Sequence, residues 1–267
     1  MVRRGRLAAS DLVWDIGAGD GALTVPLAQM AGHVVAVECD RSLAERLRAR
    51  VAMLGNVSVV HRDFLTMPLP DRDFIVVANL PFAITTPVLR RLLDPRASMV
   101  RAVLLIESAA AYRFTQRPPA DPDLIAWHTW FDITWERYVS RSSFLPPPRV
   151  DGAALSIERR PPSALRPKWV ESYMAFLYHV LQDPERPLRD ALRGVFTPEQ
   201  RTRALRVLGV QREAPAATLT PRMWAFLYLT MRERADPSRW PRGQTGRRRG
   251  AQAASRARRH SRGSRRP

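Results

Sequence analysis

From Asp11 to Leu105 short apolar runs alternate with stretches of helical period, the pattern of βαβ units laid into a parallel sheet. The runs Leu12 to Ile16, Val34 to Val37, Val57 to Val60, Phe74 to Ala78 and Val103 to Ile106 predict five strands. Helices are predicted over 22–30, over Arg41 to Val51 behind Asp40 as N-cap, and over Pro87 to Leu93 with Thr86 as cap and Pro87 in the first position. Residues 124–139, rich in aromatic and β-branched side chains, predict two strands or a long hairpin, and Ala153 to Ile157 a late antiparallel strand. Its Pro and Arg content makes "RRPPSALRP" (159–167) a linker. Beyond it apolar positions recur three and four apart, predicting helices over Trp169 to Leu181, Leu188 to Phe196, Pro198 to Leu208 and Pro221 to Met231, the last capped by Thr220. The expected organisation is a doubly wound α/β domain at 1–160, a small all-helical domain at 165–235 and a disordered Arg-rich tail at 236–267.

Composition narrows the class. The 267 residues, 45% hydrophobic, suffice for one large domain with a companion lobe. No run approaches 18 uncharged apolar residues and the N-terminus lacks a signal-peptide core, so the expectation is a cytoplasmic protein, monomeric and without a membrane partner. Cys39 has no second thiol to bridge and reads as a small buried hydrophobe. The five histidines show no ligand spacing, and no metal is expected. Net charge is +18; residues 242–267 hold ten arginines and no acid, which leaves +8 for residues 1–241. That balance favours a polyanion, nucleic acid or anionic lipid, although a GC-rich coding sequence explains an arginine excess as well. Lys168 is the single lysine among 43 basic residues.

Candidate chemistry gathers at the strand ends. "VWDIGAGDGAL" (13–23) puts Gly17, Gly19 and Gly21 where a strand turns into a helix, so backbone can approach a ligand with no Cβ between them. Gly17, Gly19 and Ala22 satisfy the dinucleotide pattern, and Glu38, about 20 residues on, can hold ribose hydroxyls of either NAD or S-adenosylmethionine. Asp15, two residues before the loop, suits a cofactor with a cationic amino-acid end better than a pyrophosphate. Asp63 and Phe64, at the end of the third strand, offer a carboxylate for an adenine amino group and a ring for its face.

The fourth strand ends in "NLPF", Asn79 to Phe82. An exocyclic amine on a base is a poor nucleophile because its lone pair is delocalised into the ring. Two acceptors on its hydrogens localise that pair. Asn79 offers a side-chain carbonyl, Leu80 a main-chain carbonyl whose direction Pro81 restricts, and Phe82 a ring to stack on the base. An ordinary strand-to-loop turn with Phe82 in the core is the competing explanation, and the order of glycine loop, acids and tetrapeptide tells against it.

"DIGAGDGALT", "VAVECD", "HRDFL", "NLPF" and "FLPPPRVD" together resemble the ordered motifs of the ribosomal RNA adenine-N6 dimethyltransferases, over about Leu7 to Arg234. That resemblance implies a Rossmann-like class I methyltransferase sheet using S-adenosylmethionine, with Gly17, Glu38, Asp63 and Asn79 on the cofactor, Asn79 through Phe82 on the adenine, and Phe144 over its other face. "LLIESAAAYRF" (104–114), with Glu107 ahead of a small-residue helix, the tryptophan-rich 127–138 and the Arg-rich tail are similar to the erythromycin-resistance branch, which acts on 23S rRNA. The branch acting on small-subunit RNA, and a cofactor-free RNA-binding protein on a methylase fold, are the alternatives. The family carries a Gln-Asn-Phe-Leu element that closes over the cofactor's methionine end; this sequence has no match to it, and weak cofactor affinity is expected on that account. Trp127, Trp130 and Trp135 read as packing residues. Arg186, Arg189, Arg193, Arg201, Arg203 and Arg206 read either as a grip on an RNA stem or as a solvated face.

Overall fold

A computed structural model describes residues 1–144 and 146–242. Seven strands form one sheet: β1 (Leu12–Ile16), β2 (His33–Glu38), β3 (Val57–His61), β4 (Phe74–Asn79), β5 (Met99–Glu107), β6 (Phe131–Val139) and β7 (Gly152–Arg159). Their order is β3-β2-β1-β4-β5-β7-β6. The first five run parallel, and β7 is antiparallel to both β5 and β6. All five residues of β1 and the first five of β4 are buried, as strands covered on both faces require. The strand order reverses between β1 and β4, so the crevice outside their carboxyl ends is where such a sheet takes a ligand.

Helices α1 (Thr24–Ala28), α2 (Arg41–Val51), α3 (Thr85–Leu92) and α4 (Ser108–Thr115) connect or flank these strands. In α2 the Asp40 carboxylate accepts from Leu43 N at 2.9 Å and Ala44, Leu47 and Val51 face inward, as its pattern predicts. Helix α1 is shorter than 22–30: it begins at Thr24, three residues after Gly21 at φ +94° in the glycine loop, and ends at Ala28. Helix α3 starts at Thr85 with Ile84 as its cap, so Thr86 caps nothing and Pro87 lies within the first turn, where its missing N–H costs no bond.

Residues 124–130 depart from expectation. They belong to helix α5 (Pro122–Trp130), with β6 following directly. The Asp121 carboxylate accepts from Asp123 N at 2.9 Å, and Pro122 occupies the first turn. Leu124, Ile125, Ala126, Trp127, His128 and Trp130 are all buried, so the helix has no polar face whose period the sequence could display. Trp127 and Trp130 are packing residues, as expected.

The remaining helices are α6 (Val170–Val180), α7 (Leu188–Ala191), α8 (Pro198–Leu208) and α9 (Pro221–Arg234). The helix expected through Phe196 stops at Ala191, and the chain turns through Gly194 at φ +92°. Thr197 then opens α8 with a capping box to Gln200. One continuous core joins these helices to the sheet through edge-to-face pairs of Trp130 with Tyr173, Tyr173 with Tyr228, and Phe176 with Trp224. The segment predicted to be a linker is part of that core: Leu165 is buried and its carbonyl accepts from Trp130 Nε1 at 3.3 Å. Order continues into the predicted tail, where a 3₁₀ turn spans Pro237–Arg239. The rest of that prediction, residues 243–267, lies outside the described residues.

Candidate active site

The glycine loop folds back onto β2, with Gly17 and Ala18 amides donating to the Val37 carbonyl at 2.8 and 3.1 Å. Gly17 adopts φ +70° and Gly19 φ +58°, a region that side-chain-bearing residues avoid. A Cβ on Gly17 would stand 3.3 Å from Pro81 Cδ, whereas a Cβ on Gly19 would meet nothing within 4 Å. The first glycine therefore lets the tetrapeptide close against the loop. The second leaves bare backbone open toward the crevice.

Three carboxylates follow at the strand tips. Asp15 is 1% exposed; its Oδ2 accepts from Thr24 Oγ1 at 2.7 Å, and its Oδ1 is buried with no hydrogen-bond partner. Burial, reinforced by the charge of Glu38, pushes its pKa up to about 7 against the lowering effect of the Thr24 bond. Glu38 accepts from Gly19 N at 2.8 Å and from Asp40 N at 2.9 Å, so it fastens the loop to the turn after β2. Asp63 is exposed and caps the 3₁₀ turn Phe64–Thr66 through Leu65 N at 2.8 Å, a bond that leaves the carboxylate further acceptor sites. The orphaned Asp15 oxygen and the bare backbone at Gly19 suit a ligand with an ammonium end and polar hydroxyls, as S-adenosylmethionine has.

Phe64 requires a correction. Its ring is buried edge-to-face on Trp14 at 6.2 Å, with the Arg91 guanidinium 5.1 Å from its centroid and bonded to the Phe64 and Met67 carbonyls. A ring committed to that packing is not a free face for adenine. Sequence order places it beside Asp63, but the 3₁₀ turn rotates it into the core. Cys39, expected to be buried, is exposed, because the chain leaves β2 at Glu38 and the next residue projects beyond the sheet.

At the end of β4, Asn79 is exposed and lies beside Leu105 of β5, and Leu80 N donates to the Leu105 carbonyl at 3.0 Å. The Leu80 side chain is buried and anchors the strand end. Pro81, at φ −56°, opens the 3₁₀ turn Phe82–Ile84, on which Phe82 is half-buried. Phe144 comes from the distant β6–β7 connection. A Cβ on Gly152 would stand 3.3 Å from its ring tip and 3.2 Å from Leu105 Cδ1, so the glycine makes room for the ring next to the strand that carries Asn79's neighbour. Asp15, Gly17, Gly19, Glu38, Asp63, Asn79, Pro81 and Phe144 thus share one edge of the sheet. Thr24, which holds Asp15, was not singled out from sequence; its position in the first turn after the loop was the available signal. No group of three metal-ligating side chains occurs among the described residues, and none of their helices is long and apolar enough to cross a membrane.

Known proteins match the chain over most of its length. The family model for ribosomal RNA adenine dimethylase matches residues 2–232. An rRNA adenine N-6-methyltransferase of Bacillus licheniformis is 37% identical over 91% of this chain and 85% of its own length. The mycinamicin-resistance protein MyrB of Micromonospora griseorubida is 34% identical over 83% of this chain and 70% of its own. The crystal structure of the 23S rRNA methyltransferase ErmE superposes with a TM-score of 0.75 at 25% identity, covering 86% of this chain and 95% of that one. With the glycine loop, the acids and the Asn79 tetrapeptide on one edge, these matches mean that the chain belongs to the ribosomal RNA adenine dimethylase family and is an S-adenosylmethionine-dependent rRNA adenine-N6 methyltransferase.

Proposed function

We propose that the RNA acted on is 23S rRNA and that the modification confers macrolide, lincosamide and streptogramin B resistance. The observation that carries this choice is the match to ErmE over nearly that protein's whole length, and the match to MyrB adds support. In this reading residues 1–160 hold the cofactor and the adenine, and residues 165–235 contribute to holding the RNA, in a monomeric cytoplasmic enzyme.

Bound S-adenosylmethionine supplies a methyl group on a sulfonium. Asp15 pairs with its ammonium, Gly17 and Gly19 give it bare backbone, Glu38 holds its ribose, and Asp63 accepts from its adenine amino group. The residue that performs the positioning chemistry is Asn79. Its carbonyl and that of Leu80 accept the two hydrogens of the target amine and localise the nitrogen lone pair, a fixed pair of acceptors in place of a titrating base. Phe82 and Phe144 flank the extruded base, whose removal from its stack the RNA tolerates best where it is unpaired. Labelled methyl transfer to purified 23S and 16S rRNA, followed by mapping of the modified adenine, tests the choice. Label confined to a 23S adenine, with raised erythromycin tolerance in a sensitive host, is the expected result; label confined to 16S rRNA overturns it in favour of the small-subunit reading.

A further inference from the structure

Asp63 heads a 3₁₀ turn whose own bonds fix its shape. Its carboxylate accepts from Leu65 N at 2.8 Å, its carbonyl from Thr66 N at 3.0 Å, and the Phe64 carbonyl from Met67 N at 3.2 Å. Those bonds do not set where the turn sits on the sheet edge; two other contacts do. One is the Phe64 ring, buried edge-to-face on Trp14 of β1. The second comes from α3, where the Arg91 guanidinium donates from one terminal nitrogen to the Phe64 carbonyl and from the other to the Met67 carbonyl, its carbon 5.1 Å from the Phe64 ring centroid. The fork spans the turn from its first residue to its C-cap.

Arg91 is not a solvated helix charge. Its neighbour Arg90 is exposed and pairs with the Asp123 carboxylate of α5 at 2.9 Å. Arg91 is half-buried and makes no ion pair among the described residues, so two main-chain oxygens and a ring face hold the cation. An aliphatic side chain would cover Phe64 with less desolvation; a planar fork adds simultaneous reach to two carbonyls three residues apart. The helix that carries it begins where the tetrapeptide ends. The turn Phe82–Ile84 follows Pro81, and α3 follows that turn at Thr85 without a break. Val88, Leu89 and Leu92 are buried and fix the helix on the core. One helix therefore has the Phe82 turn at its start and, near its end, the side chain that grips the Asp63 turn.

We propose that Arg91 is a positioning residue that holds the Asp63 carboxylate against the amino group of the cofactor's adenine and thereby sets the preference for an aminopurine cofactor. This rests on the reading of Asp63 as the acceptor for that amino group and deepens it by naming what places the acceptor. An ionised carboxylate can only accept. It favours the amino group of adenine and opposes the carbonyl oxygen that replaces it in a deaminated purine, a discrimination that lasts only while the carboxylate is held in place.

The test compares equilibrium binding of S-adenosylhomocysteine and of its inosine analogue, in which that carbonyl replaces the amino group, to the whole protein. The variants are Arg91→Met, which keeps an apolar stem over Phe64, Arg91→Lys, Asp63→Asn and the Arg91→Met/Asp63→Asn pair. Wild type is expected to prefer the adenine ligand by at least about tenfold, the scale of a hydrogen bond to a charged group. Arg91→Met is expected to cut that preference to about threefold or less, and Asp63→Asn, whose amide donates as well as accepts, to do the same. The pair should go no further than either alone. In transfer assays the Arg91→Met defect should appear in KM for S-adenosylmethionine more than in kcat. A merely loosened fold would weaken both ligands by one factor and leave their ratio unchanged. That result in Arg91→Met, beside a lost preference in Asp63→Asn, overturns the proposal and leaves the reading of Asp63 standing. A preference that survives Asp63→Asn overturns both. Should Arg91→Met fail to fold, Arg91→Lys, which keeps the charge without the fork, must show a reduced preference, and a wild-type ratio there overturns the proposal equally.

Discussion

Gly17 and Pro81 lie in contact across two different strand ends, so close that a methyl group on residue 17 would stand 3.3 Å from the proline ring. The glycine loop and the Asn79–Phe82 tetrapeptide are therefore packed against each other. A change at residue 17 is expected to reach Asn79, two residues from the contact. Gly17→Ala must place a Cβ residue at φ +70°, at a cost of about 1–2 kcal/mol, and must also push Pro81 away. The expected outcome is at least a tenfold loss of S-adenosylmethionine affinity by calorimetry together with a lower kcat, with the unfolding midpoint only a few degrees lower. Gly19→Ala, whose Cβ meets no protein atom, should lose cofactor affinity and keep the tetrapeptide geometry.

Asp15 gives the site a pH signature. Its folded pKa of about 7 lies above that of an ordinary aspartate, so the folded state holds this proton more tightly than the unfolded chain. The stability it contributes is complete below about pH 4 and is lost as pH rises through about 7, at about 1.4 kcal/mol per unit between. Thermal unfolding of the cofactor-free protein should show that decline, and Asp15→Asn should flatten it. Cofactor affinity should move oppositely, rising through about pH 7 as the carboxylate ionises to meet the ammonium. An affinity whose pH profile is the same in wild type and Asp15→Asn would remove Asp15 from the cofactor's methionine end.

In the proposed site Asn79 contributes an acceptor to the reacting amine, and its side chain is exposed, so a substitution there should leave folding intact. Asn79→Ala is expected to lower kcat by about a hundredfold or more, the scale on which single preorganised hydrogen-bonding groups act. Rapid-quench transfer assays at saturating cofactor isolate that effect from binding. Circular dichroism and unfolding midpoint should match wild type. A kcat within a few-fold of wild type would overturn the assignment of Asn79 to the target amine.

The central strands were legible because they are covered on both faces and write themselves as mainly apolar runs, Leu12 to Ile16 broken only by Asp15 and Phe74 to Ala78 unbroken. The caps were legible where one side chain does the work, as with Asp40 and Thr220. Helix α5 was not, because burial on every side erases the period that distinguishes helix from strand. Of the site, residues at strand tips could be ordered along the edge from sequence. Which way a ring points could not: Phe64 and Phe144 both lie at short turns, and tertiary packing turns one into the core and seats the other over Gly152. The contact of Gly17 with Pro81 joins residues 64 apart in the chain and left no local mark.

The described chain does not end with α9, and the reason is a stack on Arg232. Its guanidinium carbon lies 4.2 Å from the Trp169 ring centroid and 5.2 Å from that of Trp240, so the cation is held between an indole at the entrance to α6 and one beyond α9. Trp240 is half-buried and its Nε1 donates to the Ala235 carbonyl at 3.2 Å. Low complexity after Pro237 suggests disorder, yet one tryptophan is enough to bring the segment back onto the helices. Trp240→Ala removes one wall of the stack and is expected to destabilise the protein by about 1–2 kcal/mol. For a chain of this size that is a fall of about 2–6 °C in unfolding midpoint. A double-mutant cycle with Arg232→Ala separates the pair from the area each buries: a coupling energy of about 0.5 kcal/mol or more is expected. Additive effects would show that Trp240 is held by packing alone. At saturating RNA and cofactor kcat should be unaffected, since the stack lies among the C-terminal helices and touches none of the residues at the sheet edge.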